Sequence, residues 1–319
     1  MKNCIIILSL LYIISSCKQT NYIKYHREIN EAHYYFYTND LVLSQKYFEI
    51  GFSKVKTAME RDLFLYSICL WNNNERDKAI RILDTNQFTS LAFNQNRIEY
   101  FDNITDELIS VTKTKNSLFL KHKIDKLNNS KLFKQLDDIA IREREIRKQY
   151  LSIVNSSVEF QDSNMLELIT DSMSIISHEN FIILDSIFNE YGYLGGTIWP
   201  TRVPLSTIMM HSSVEWVEKN KAFLKKELKK GHLLPVDYAS VIDRKLYREK
   251  GMKYSFYNMW GDINIETVTP EVYFKRANAI GLSPYFDYST DRIPGFGRMP
   301  DKAVFYEKYY EKKRSDNRR

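Results

Sequence analysis

Apolar residues recur through much of this chain at intervals of three and four, the spacing that gathers them on one face of an α-helix. Leu132, Leu136, Ile139 and Ile146 form such a stripe, with Glu143 and Arg147 placed as an i,i+4 ion pair of the favourable orientation. Leu166, Ile169, Met173 and Ile176 mark a second long helix or helix pair over residues 165–191, which Gly192, Gly195 and Gly196 interrupt. The pattern next predicts two antiparallel helices, residues 207–229 and 236–250. Gly231 serves as C-cap of the first, and Pro235 opens the second. A short helix over 270–280 starts from Thr269 as N-cap and closes at Gly281. The Pro-, Gly- and aromatic-rich segment 285–300 reads as an ordered surface loop, and 303–314 as a final charged helix.

Ahead of these helices the chain repeats itself. Ala32, Tyr35, Ser44 and Phe48 recur 35 residues later as Ser67, Leu70, Ala79 and Leu83, each set enclosing a polar turn at 38–40 or 73–75. Small residues allow two antiparallel helices to cross closely, and large ones fill the groove beside the crossing. The pattern resembles tetratricopeptide repeats, whose period is close to this offset. An unrelated helical hairpin is the alternative. Leu91, Phe93, Ile98 and Phe101 suggest a decayed third unit within 88–129. The expected fold is therefore mainly α: tetratricopeptide-like helical hairpins followed by an antiparallel helical domain.

Composition agrees with that class. Only 10 Gly and 7 Pro occur in 319 residues, too few for the turns of an all-β fold. The net charge of +6 is uneven, since residues 302–319 carry seven Lys/Arg against three acids and leave the body near neutral. That distribution argues against a nucleic-acid partner, which requires a basic face on a folded element.

The N-terminus carries the most specific motif. Lys2 precedes an apolar run over 4–14 that is too short to span a bilayer. It ends in Ile14-Ser15-Ser16-Cys17, which resembles a bacterial lipobox. This resemblance implies cleavage before Cys17, lipid attachment there, and a cell-envelope location. Lys18 favours the outer membrane by analogy with lipoprotein sorting. An ordinary secretory signal with a chance cysteine is the alternative. Residues 19–25 then read as a short tether. Cys69 would be the one cysteine left free, set among Leu65, Ile68 and Leu70 as a small buried hydrophobe. The mature chain is thus expected to form no intramolecular disulfide.

Groups able to bind or react concentrate between Trp199 and Trp260. Trp199-Pro200, His211, Asp243-Arg244 and then Arg276, Gly281, Leu282 and Pro284 follow one another in an order that resembles a bacterial family of helical domains of unknown function. Upstream, Glu143 and Arg147 look like its Asp-Gln-x-x-Arg start, and Asn180 like its helix asparagine. Two departures stand out: Met210 precedes the histidine where the family has an amide, and residues 257–260 replace a Tyr-Gly-Thr-Gln element. The resemblance spans residues 137–288 and implies no activity.

On a continuous helix, His211 and Asp243 would lie roughly 15 Å apart along the axes, too far for a catalytic pair. Tyr254 and Tyr257 are then the expected neighbours of His211. Asp243, on the shoulder of a face carrying Ala239, Ile242 and Leu246, needs a donor such as a backbone amide, a tyrosine hydroxyl or Arg202. The candidate ligand-binding set is Trp199, Arg202, His211, Asp243, Arg244, Tyr254 and Tyr257. His178-Glu179 lacks a second histidine at metal-ligand spacing, so no metal is expected, and no motif calls for a cofactor.

The organisation expected is a signal over 1–17, a repeat-like region over 18–130, a helical domain over 131–290, and a loop with a basic tail over 291–319. Two functions compete. One is an envelope lipoprotein that docks a protein or peptide. The other is a ligand-processing or hydrolase-like enzyme centred on His211, Asp243 and Tyr257.

Overall fold

Capping and turn geometry organise the first four helices of the computed structural model, which describes residues 21–85, 131–155, 163–195, 205–250, 257 and 270–283. Helices α1 (Tyr22–Tyr37) and α2 (Leu41–Phe52) form one hairpin, and α3 (Glu60–Asn72) and α4 (Arg76–Thr85) form a second. Both turns pass through an asparagine in the left-handed region, Asn39 at φ 62° and Asn74 at φ 66°. Asparagine tolerates that conformation better than bulkier residues do. Each turn closes with a backbone bond of 2.8 Å, from Asp40 N to Tyr35 O and from Glu75 N to Leu70 O. The four small residues that define the sequence pattern, Ala32, Ser44, Ser67 and Ala79, are fully buried. Cys69 lies beside them, its thiol donating to Ser44 Oγ at 3.3 Å and pushed up to about 12 by burial, so it packs as an inert hydrophobe.

The other described helices are α5 (Lys131–Val154), α6 (Ser163–Tyr191), α7 (Leu205–Met210), α8 (Val214–Lys230), α9 (Pro235–Lys250) and α10 (Pro270–Ile280). Helices α5 and α6 pack together, as do α8 and α9. Among the described residues 83% are helical and no strand occurs, so the fold is mainly α. Two apolar cores result. The first lies between the hairpins around Tyr25, Phe48, Leu65, Ile68 and Leu70. The second joins Leu136, Ile139, Leu184, Leu224, Leu228 and Leu233.

Helix α1 connects the two cores. Tyr22 and Tyr25 face the hairpin core while Ile23 faces the other, so the segment read as the end of a tether is buried helix. Asn21 accepts from Ile23 N and Lys24 N and caps it. Arg27 donates to Asn278 O at 2.7 Å and Asn30 to Gly281 O at 3.1 Å. Two glycines make this contact possible. Gly231 ends α8 at φ 79° with its missing Cβ directed at the Tyr22 ring, and Gly281 ends α10 at φ 76° with its Cα face against Ile23 and His26. A side chain at either position would meet both an unfavourable backbone conformation and a neighbour.

Candidate functional site

Polar residues replace apolar ones at one level of the α5–α6 contact. Glu143 continues the stripe of Leu132, Leu136, Ile139 and Ile146, and Asn180 continues that of Ile169, Met173 and Ile176. Both are buried. Asn180 donates to Glu143 Oε2 at 3.1 Å, and Ser177 Oγ lies 3.5 Å from both carboxylate oxygens. Arg147 places Nε at 2.8 Å and Nη2 at 2.6 Å on Oε1. A carboxylate in this setting is stable only with such donors around it.

His211 completes the cluster because the helix expected over 207–229 is broken. Helix α7 stops at Met210. Ser212 Oγ turns back to Met209 O at 2.6 Å, and Ser213 caps α8 by accepting from Trp216 N at 3.1 Å. Serines that satisfy backbone groups locally favour such a break over helix continuation. Arg248, from α9, holds the turn by donating Nη1 to His211 O at 3.1 Å and to Ser212 O. The imidazole thereby reaches α5, with Nδ1 2.9 Å from Glu143 Oε1. That oxygen lies off the N–H direction, so the contact is a close polar pair without an aligned hydrogen bond.

The electrostatics follow from these contacts. Burial alone would raise Glu143, but His211 and Arg147 outweigh it and hold the carboxyl below its ordinary range. Burial lowers His211, and the charges of Arg147 and Arg248 add to this against the opposing pull of Glu143. The imidazole is therefore neutral at pH 7. A carboxylate oxygen 2.9 Å from Nδ1 favours the tautomer protonated there, which leaves the lone pair on Nε2, and the His211 side chain remains 18% exposed. This arrangement orients a neutral imidazole for accepting a proton or meeting a polar ligand.

Asp243 belongs to a different network. It is fully buried and accepts from the backbone amide of Tyr257 at 2.9 and 3.1 Å, one of the donor types anticipated for it. Tyr257 is buried against Tyr238, with ring centroids 6.5 Å apart, and burial raises its hydroxyl well above the ordinary tyrosine range. Arg244 sets its guanidinium 4.8 Å from the centre of the Tyr247 ring. Spacing points His211 to Tyr254 and Tyr257; the polar contact it makes among the described residues is with Glu143, which the helix break brings within reach. Trp199, Arg202, Tyr254 and Cys17 lie outside the described residues, as do the third helical unit over 88–129, the 285–300 loop and the 303–314 helix.

A second buried polar cluster sits in the hairpin core and has no counterpart in the sequence reading. Asp62 accepts from Tyr25 Oη at 2.6 Å and Arg61 Nε at 3.1 Å, and pairs with His33 Nε2 at 3.0 Å. Tyr25 Oη in turn accepts from Met59 N at 3.0 Å. Burial opposes ionisation of Asp62, but Arg61, His33 and Tyr25 prevail and keep it well below the usual carboxylate range. His26 adjoins them with Nε2 buried and unpartnered, and burial lowers it to about 3. No local motif reveals this cluster, since Tyr25 and Asp62 are 37 positions apart.

No family model, curated protein or solved structure matches this chain. Among the described residues, no helix is long and apolar enough to cross a membrane, and no group of three or more His, Cys, Asp and Glu residues is arranged to hold a metal ion.

Proposed function

We propose that this chain is an envelope lipoprotein, anchored through a lipid on Cys17, whose tetratricopeptide-like hairpins dock a protein or peptide partner. One observation carries the docking reading. The two hairpins repeat not only their small buried residues but also their turn, with an asparagine at positive φ and the same closing backbone bond 35 residues apart. Such modular hairpins are recurrent units of protein-binding arrays. Helix α1 is committed to the second core, so the docking surface falls on the exposed sides of α2 and α4, where Val42 and Asp77 face solvent.

Two measurements test this. Intact mass of the mature N-terminus is expected to show a diacylated or triacylated Cys17, and Cys17→Ala is expected to release the chain from the membrane fraction. A chain that begins before Cys17 without lipid overturns the anchor. A photo-crosslinking residue at Val42 or Asp77 is expected to give one discrete adduct in intact cells, and no adduct at either position overturns docking through this face.

A second reading, an enzyme that processes a small ligand, is favoured by the Glu143–His211 pair. It draws no support from His211 acting together with Asp243, because Asp243 is sealed against the Tyr257 backbone.

A further inference from the structure

The rim around His211 holds more positive charge and more hydrogen-bond donors than its own contacts use. Arg147 spends Nε and Nη2 on a single oxygen of Glu143, which leaves Nη1. Arg248 donates only Nη1, and only to the neutral carbonyls of His211 and Ser212, so its charge has no ion-pair partner among the described residues. Its Nε and Nη2, the edge that grips an oxyanion with two parallel bonds, meet no partner among the described residues. The two guanidinium groups and Arg244 are close enough to act on one another: after burial, Arg244 and then Arg147 lower Arg248, and Glu143 opposes them. Of Arg147 and Arg248, Glu143 is bonded to Arg147 alone, so a second anion beside Arg248 would be favourable there. The cluster is also under-satisfied, since His211 Nδ1 and Asn180 Oδ1 are buried without aligned partners.

We propose that the rim formed by His211, Arg147 and Arg248 binds a small oxyanion, a carboxylate or phosphate group carried by a soluble ligand. Glu143 positions the site: it fixes Arg147 and orients the imidazole, while Arg248 and the open Nε2 of His211 meet the ligand. Neutral Nε2 has no proton to give an oxyanion, so a bound anion draws a proton onto His211. Among the described residues, Glu143 and Arg147 from α5 and Arg248 from α9 are the charged groups that act on that ring, with Ser177 and Asn180 from α6 behind them on Glu143. Of these, Glu143 favours the protonated ring and the two arginines oppose it. The anion cancels the arginines' opposition and raises the histidine's affinity for a proton.

The test is a titration of the full-length chain in detergent with sodium phosphate and, separately, sodium acetate, against sodium chloride at the same ionic strength. The NMR resonance of the His211 Cε1 proton is followed together with the melting temperature. A saturable shift of that resonance, with the His211 titration moved to higher pH, is expected for at least one oxyanion. Response to phosphate assigns a phosphate-bearing ligand, and response to acetate alone assigns a carboxylate. Arg248→Gln is expected to weaken binding about tenfold or more, and Arg248→Lys less, because charge-assisted bonds to the anion are lost. A wild-type resonance that responds to chloride as much as to the oxyanions overturns the proposal, as does unchanged affinity in Arg248→Gln. Should that variant fail to fold, the wild-type titration decides by itself. The inference does not rest on docking by the hairpins, and the crosslinking and anion measurements succeed or fail separately.

Discussion

Three described histidines lie beside buried carboxylates, His33, His211 and His232, and the first two differ sharply in their surroundings. His33 and Asp62 lie inside the hairpin core with side-chain exposures of 3% and 0%. His211 and Glu143 lie beneath the rim of the second core with 18% and 4%. The chemical components are nearly the same in each case: a carboxylate, an imidazole and an arginine. In the first, Tyr25 and the Met59 amide join the network and close it. In the second, the arginines keep donors in reserve and the imidazole keeps an open nitrogen. A buried ionic cluster is thus no sign of function by itself. What separates the two is whether the cluster's remaining bonding capacity faces protein or solvent.

The largest effect is expected from Asp62→Asn. Neutralising a fully buried carboxylate strands Arg61, His33 and Tyr25, and urea denaturation should register a loss of about 3 kcal/mol or more. A loss below about 1 kcal/mol would end the description of this cluster as the structural member of the pair. Gly231→Ala should come next, at about 2 kcal/mol, because alanine is strained at φ 79° and its methyl meets the Tyr22 ring. Pairing it with Tyr22→Ala should recover part of that loss, which a double-mutant cycle measures.

Glu143→Gln should cost about 1–2 kcal/mol, since the amide keeps part of the hydrogen bonding and the rim admits water. Its sharper signature is that the His211 titration falls to lower pH, because the carboxylate that supports the protonated ring is gone. An unchanged histidine titration would mean that Glu143 does not govern His211.

The smallest effect at neutral pH should come from His26→Leu, within about 1 kcal/mol, because the ring nitrogen it removes has no partner. Acid separates the two proteins. The folded-state pKa of His26 is lowered to about 3 from an ordinary 6.5, so below pH 6.5 the unfolded chain takes up a proton that the folded chain refuses. Its contribution to stability is therefore complete above pH 6.5 and is lost as pH falls toward 3, at a slope of up to about 1.4 kcal/mol per pH unit. His33 is lowered in the same direction. Asp62 and Glu143, depressed below ordinary carboxylates, add losses of the same sign only below about pH 4. Urea midpoints between pH 7 and pH 5 should fall less steeply for His26→Leu than for the native chain. Equal slopes would assign the acid sensitivity elsewhere.

Much of the helical framework is legible from residue spacing. The stripes on α5, α6 and α9, the Gly231 cap and the Pro235 start all depend on neighbours within one or two turns, and the sequence carries that information directly. The site was legible in its members and not in its connections. Glu143, Arg147, Asn180 and His211 each stand out in the sequence, yet spacing pairs Glu143 only with Arg147 on its own helix. A usable signal was present: Glu143 and Asn180 occupy stripe positions where apolar residues are expected, and two polar residues on facing stripes imply contact. The break at Ser212-Ser213 was the step that spacing missed. Without it, a straight helix directs His211 toward the tyrosines.

Alone, the sequence determined a mainly α chain with its hairpin turns, helix caps and buried faces, because those follow from local stereochemistry and hydrophobic periodicity. Tertiary structure decided which polar groups meet. Tyr25 finds Asp62 across 37 positions, Glu143 finds Asn180 across 37, and Arg248 reaches His211 across another 37. Pairings at that range depend on how helices dock, and docking is set by the packing of whole faces, which places a charge beside its partner without any local signature.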